Sequence, residues 1–144
     1  MTTGRVYLPT SLDRLIALRD ERRIEGPLIA YAPSPALAAA VGGNPDEEEL
    51  EYAAIQEAAV VTAALGDDVV AAIDVPSGEL TQAIEQSGPG DSPAAVRFTG
   101  PILLRQVASL HRLDPPGERD ADTDLDLSWY DVTELAALVA DLAG

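Results

Sequence analysis

The chain has no cysteine, and it has one histidine in 144 residues. Without cysteine there is no disulfide framework, no thiol nucleophile and no thiolate metal site, and one histidine cannot make a two-histidine metal motif. Zinc is therefore not expected, and no cofactor is implied. No stretch approaches the ~18 consecutive apolar residues of a spanning helix, because the longest apolar runs are broken by Asp, Glu, Pro or Gly. The opening residues, MTTGRVYLPTSLDRL, lack the charged lead and apolar run of a secretory signal. The expectation is a cytoplasmic protein without membrane contact. The strings G-x-x-x-x-G-K-[ST], G-x-G-x-x-G and G-x-S-x-G are also missing, which removes the usual nucleotide-binding and α/β-hydrolase fingerprints.

What the chain has in excess is negative charge. Asp and Glu number 25 against 9 basic residues, all Arg, for a formal net charge of -16. That surplus repels nucleic-acid phosphates and anionic membranes, so direct nucleic-acid binding is not expected and a basic protein surface is the natural partner. With 47% hydrophobic and 24% charged residues the composition is that of a globular domain, here taken as residues 1–144.

Apolar patterning divides the chain into alternating strands and helices. Strands are expected at Arg5 to Leu8, Leu28 to Ala32, Val69 to Val75, Val96 to Thr99 and Ala108 to Leu113. Helices are expected after Thr10, after Ser34, from an Asn44 cap to Gly66, around Leu80 to Ile84, and from Asp131 to Leu142. Because a crossover helix normally joins parallel neighbours, the alternation predicts an α/β domain with about five strands in a mostly parallel or mixed sheet and flanking helices. The alternative is a two-layer α+β sandwich of ferredoxin-like type. Residues 87–93 and 114–126, rich in turn formers and acids, are expected to be mobile surface loops.

Four phrases carry a likeness to known sequences: RVYLP at Arg5 to Pro9, AYAPSPAL at Ala30 to Leu37, EEELEYAA at Glu47 to Ala54 and SWYDVTEL at Ser128 to Leu135. The chain resembles an uncharacterised family of small acidic actinobacterial proteins, a domain of unknown function. The resemblance implies no activity and transfers no catalytic residue.

Among candidate groups, Glu47, Glu48, Glu49 and Glu51 crowd a helix start, where the helix dipole favours acids without any metal. Asp120, Asp122, Asp124 and Asp126 mimic the spacing of a calcium loop, but Leu125 stands where the turn needs Gly and Asp131 replaces the bidentate Glu, so an acidic loop is the simpler reading. His111 lies near Ser109 and Asp114 and is read as an ordinary side chain. Three expected strands end in proline followed by a hydroxyl, at Thr10, Ser34 and Ser77. In a parallel sheet these helix starts would share the carboxyl edge and converge on an anionic ligand. Tyr52 beside Glu51, and Trp129 with Tyr130, complete the candidate binding residues.

These features favour a non-enzymatic interaction domain with an acidic surface, for which a homo-oligomer is compatible. The alternatives are a small hydrolase or transferase with an anion or metal site at the sheet edge, using Asp74 and the Glu47 to Glu51 cluster, and a nucleic-acid mimic.

Overall fold

The computed structural model describes residues 2–87, 92–114 and 126–144. The parts of the two expected loops at 88–91 and 115–125 lie outside the described residues. In chain order the elements are β1 (Thr3–Thr10), α1 (Leu12–Glu21), β2 (Arg23–Ile24), β3 (Leu28–Tyr31), α2 (Pro35–Val41), α3 (Glu47–Ala64), β4 (Val69–Pro76), α4 (Ser77–Ser87), β5 (Ala95–Phe98), β6 (Ile102–Leu103), β7 (Val107–Leu113), β8 (Leu127–Tyr130) and α5 (Leu135–Ala143). Short 3₁₀ turns at Leu104–Gln106 and Val132–Glu134 precede β7 and α5.

The expected parallel or mixed α/β sheet is not formed. The main sheet has six strands in the order β5-β3-β1-β4-β7-β8, and every neighbouring pair is antiparallel; β2 and β6 make a separate two-stranded piece. The α+β alternative is the one that fits. The crossover from β3 through α2 and α3 to β4 does join two strands running the same way, as the alternation implied. However, β1 is inserted between them and pairs antiparallel with both, giving a split βαβ unit. Sequence patterning reports which segments are strands, whereas the insertion of β1 depends on long-range pairing.

The alternation along β1 and β4 divides the interior in two. Val6, Leu8, Val69, Ala71, Ile73 and Val75 face a core closed by Leu15 and Leu18 of α1, Ala83 of α4 and Leu135, Leu138 and Val139 of α5. Tyr7, Val70 and Ala72 face the other side, where Leu37 of α2 and Ala54, Ala58 and Ala59 of α3 cover them. The alanines explain how an 18-residue helix, about 27 Å long, lies close against the middle of the sheet.

Local chemistry shifts several boundaries. β1 continues through Pro9 to Thr10, paired with β4 from Thr3–Pro76 to Thr10–Val69, while its pairing with β3 is confined to Tyr7–Tyr31. Continuing that second register would set Pro9 opposite Ile29, and a residue without an N–H cannot extend the ladder there. Ser11, rather than Thr10, caps α1 by accepting from the Arg14 amide at 3.3 Å. Asp46, rather than Asn44, caps α3 by accepting from the Glu49 amide at 2.8 Å.

Leu138 is 2% exposed at the centre of the α5 stripe that seals the first core. Truncating Leu138→Ala removes buried methyl groups and leaves a cavity, so it lowers stability by ~2–5 kcal/mol, measured by urea unfolding, and Leu138→Asp prevents folding. Wild-type stability of either variant would show that α5 does not close the core.

Candidate functional site

The three proline-hydroxyl junctions do not converge. Thr10 is paired with Val69 at one end of the β1–β4 ladder, while Ser77 follows Pro76 at the other, a separation of about 24 Å at strand spacing. Thr10 is buried and its hydroxyl donates to the Leu8 carbonyl at 2.7 Å. Ser34 is buried, accepts from the Leu37 amide at 3.2 Å to cap α2, and donates to the Pro93 carbonyl at 2.8 Å. Ser77 opens α4, and its amide donates to the Thr2 carbonyl at 3.1 Å. α2 and α4 also cover opposite faces of the sheet. Ser34 and Ser77 thus follow strands that run the same way but open helices on opposite faces, while β1, antiparallel to both, puts Thr10 at the other end, so the three do not form the expected anion-binding crevice.

A different group of side chains does assemble, on the face that α3 covers only in part. Arg5 and Tyr7 are alternate residues of β1, Asp74 lies opposite Arg5 on β4, and Ser109 and His111 are alternate residues of β7. Trp129 of β8 lies opposite His111. Period-two alternation sends all of these to the same side. Arg5 grips Asp74 through two hydrogen bonds, Nε to Oδ1 at 3.0 Å and Nη2 to Oδ2 at 3.2 Å. This fork fixes the guanidinium and cancels its charge locally, although an exposed pair adds only ~0–1 kcal/mol of stability. The Asp74 carboxylate is therefore already engaged, and no group of three metal-ligating residues occurs among the described residues.

Burial pushes the Tyr7 hydroxyl up to about 12, and the nearby Glu51 carboxylate adds to the shift. Glu51, half-buried on α3, also acts on Arg5, which places the acidic helix start beside this group. Ser109, 6% exposed, has its Oγ 2.8 Å from Nε2 of His111. Burial lowers the His111 pKa below its ordinary value, and the positive charge of Arg5 lowers it further. A neutral imidazole beside a serine hydroxyl is the first half of a nucleophile-base relay. A triad also needs a carboxylate on the second ring nitrogen, and among the described residues none is bonded there. The contact satisfies a buried hydroxyl.

Trp129 and Tyr130 point to opposite faces. Trp129 is 62% exposed on the polar side, whereas Tyr130, opposite Leu110, packs against the first core. Tyr52 is 52% exposed one residue beyond Glu51, and Glu48 is exposed in the first turn of α3. Asp131 caps the 3₁₀ turn before α5, accepting from the Thr133 amide at 3.1 Å, and its carboxyl is held below the usual range by Thr133.

Arg5 and Tyr7 are not candidates from the sequence alone, and Ser109 enters there only as a neighbour of His111. Arg5 and Tyr7 alternate with buried Val6 and Leu8, a legible sign that both leave the first core together. Pairing Ser109 with Ala72 across β4 was not legible, because a register irregularity lies between Ala72 and Ile73.

The face collects residues from three of the four phrases quoted above, Arg5 and Tyr7 from the first, Glu51 and Tyr52 from the third and Trp129 from the fourth; Tyr31 of the second is paired with Tyr7. Residues 4–139 match the model of DUF6912, a family of unknown function. The chain belongs to this family. No match was found among curated proteins or among solved structures. Membership in DUF6912 brings no activity with it, so the chemistry of the site rests on its geometry.

His111 supplies a direct test of that geometry. Its lowered folded pKa means that its contribution to stability is fully present above the ordinary value near 6.5 and is lost as pH falls through the folded pKa. Because the chain has one histidine, its ring resonances titrate without overlap. The NMR midpoint is expected below 6.5, and Arg5→Gln raises it by removing a cation and releasing Asp74. A midpoint that is unmoved by Arg5→Gln would separate the two residues.

Proposed function

We propose that the protein is a non-enzymatic interaction domain that binds a basic segment of a partner protein on the sheet face beside α3. The observation that carries this reading is an exposed tryptophan on a surface whose own cations are neutralised. Trp129 is 62% exposed opposite His111, Arg5 is held by Asp74, and burial favours the neutral form of His111. Glu51 adds a carboxylate beside Arg5 and Tyr7, and the exposed Glu47, Glu48 and Glu49 precede it in the first turn of α3. A basic segment laid across this face meets carboxylates of α3 at one end and, at β8, the face of an indole, a cation–π contact worth ~0.5–1 kcal/mol at exposed sites. The net charge of -16 adds long-range steering of a basic partner toward the chain. No helix among the described residues is long and apolar enough to cross a membrane, and a cytoplasmic setting is part of the same proposal.

Trp129 is the only tryptophan, so its fluorescence reports on this surface alone. Titration with an arginine-rich peptide at moderate salt is expected to shift and saturate its emission. Exposed ion pairs contribute ~0.2–1 kcal/mol each, so Glu48→Gln with Glu51→Gln weakens the peptide by roughly two- to thirty-fold. Unchanged emission with no calorimetric binding, or equal affinity in the double variant, would overturn the proposal.

A further inference from the structure

Five of the eight described arginines of this acidic chain are engaged by a carboxylate or a carbonyl. Arg5, Arg19, Arg23 and Arg112 form ion pairs with Asp74, Asp20, Glu25 and Asp141. Arg14 donates to the Pro9 carbonyl at 2.9 Å. Arg22, Arg105 and Arg97 of β5 make no ion pair among the described residues, although carboxylates outnumber arginines in the sequence by 25 to 9, and of these three Arg22 and Arg105 are set together. Both line the same groove. It has a volume of about 490 Å³, is open to solvent, and is otherwise lined by Leu103, Leu104, Val107 and Val132, with no acidic residue. Arg105 also borders a neighbouring cleft that contains Asp74 and Glu79, yet it pairs with neither.

The groove is built on rigid supports. Arg22 holds a left-handed backbone, φ 61°, directly after α1, and its carbonyl accepts from the Leu104 amide at 2.9 Å. Next to it, Arg23 and Ile24 of β2 pair with Leu103 and Ile102 of β6. The Leu103 amide donates to Gln106 Oε1 at 2.9 Å, which fixes the 3₁₀ turn carrying Arg105. Val107 is 6% exposed and belongs to the first core, so the groove floor is continuous with the packed interior. The backbone at both arginines is thus fixed beside aliphatic side chains, between the end of α1 and the turn before α5, on the face opposite to that of Trp129.

We propose that this groove is a second docking site, whose occupant is an acidic segment of a partner protein with aliphatic side chains between its carboxylates. The argument is charge complementarity. Guanidinium binds carboxylate through paired N–H donors, and the aliphatic lining takes the partner's Leu or Ile side chains as apolar area is removed from water. A groove open to solvent suits a peptide segment better than a small molecule, since small-molecule sites enclose most of their ligand. The remaining surface of so acidic a chain repels an acidic segment, so the locally positive groove also sets where such a segment can land. The two sites would let one domain hold a basic and an acidic segment on different surfaces.

The test uses the full chain and a fluorescein-labelled peptide of alternating leucine and glutamate, followed by anisotropy at about 0.15 M salt, where repulsion beyond ~8 Å is screened. Saturable binding is expected, with a loss of roughly ten-fold or more when glutamine replaces glutamate in the peptide. A similar loss is expected in the Arg22→Gln, Arg105→Gln double variant at unchanged melting temperature. Trp129 emission should not respond to this peptide, so failure here and failure of the basic-segment reading are separable. Absence of binding, equal binding of the leucine-glutamine peptide, or full binding by the double variant would overturn the proposal. So would sedimentation showing self-association that the double variant abolishes, because the groove would then belong to a second copy of the chain.

Discussion

The antiparallel ladder between β1 and β4, from Thr3–Pro76 to Thr10–Val69, organises the rest of the molecule. Both strands are central, so each must bury two faces, and their alternation supplies the inner wall of both cores. Val6, Leu8, Ile73 and Val75 hold three helices on one side; Tyr7, Val70 and Ala72 meet α2 and α3 on the other. The same ladder places Arg5 directly opposite Asp74, where the apolar run of β4 gives way to a carboxylate. The point at which the buried sheet becomes a polar surface is therefore set by the pairing that stabilises it.

That boundary gives the polar face its character. α3 presents alanines where it crosses the sheet and carboxylates at its start, and Glu51 is the one that acts on Arg5 and Tyr7. The groups on the sheet are restrained by one another: Asp74 by Arg5, Ser109 by His111, and the Tyr7 hydroxyl by burial. What stays open is Trp129 at the edge strand.

Legibility in the sequence followed the range of the interaction concerned. The α3 start was readable to within two or three residues because capping and dipole effects act within one turn, although the cap proved to be Asp46. The α5 stripe was readable because its period is local and strong, and Leu135, Leu138 and Val139 are all buried. The parallel sheet was a misreading of sound local evidence. Strand-helix-strand alternation does not reveal that a third strand, β1, will occupy the space between the two ends of a crossover. The convergence expected of Thr10, Ser34 and Ser77 depended on that topology and fell with it.

Composition and periodicity by themselves determined the absence of thiol chemistry, the large negative charge, the existence of most strands and helices, and which side chains were free to leave the core. Each of these depends on a residue and its near neighbours along the chain. Tertiary structure alone decided that Arg5 meets Asp74 across 69 positions, that Ser109 and His111 share a face with Trp129, and that Arg22 and Arg105 line one groove. Strand order and register depend on contacts whose partners are distant in sequence, where the burial of both faces of β1 and β4 outweighs local preference.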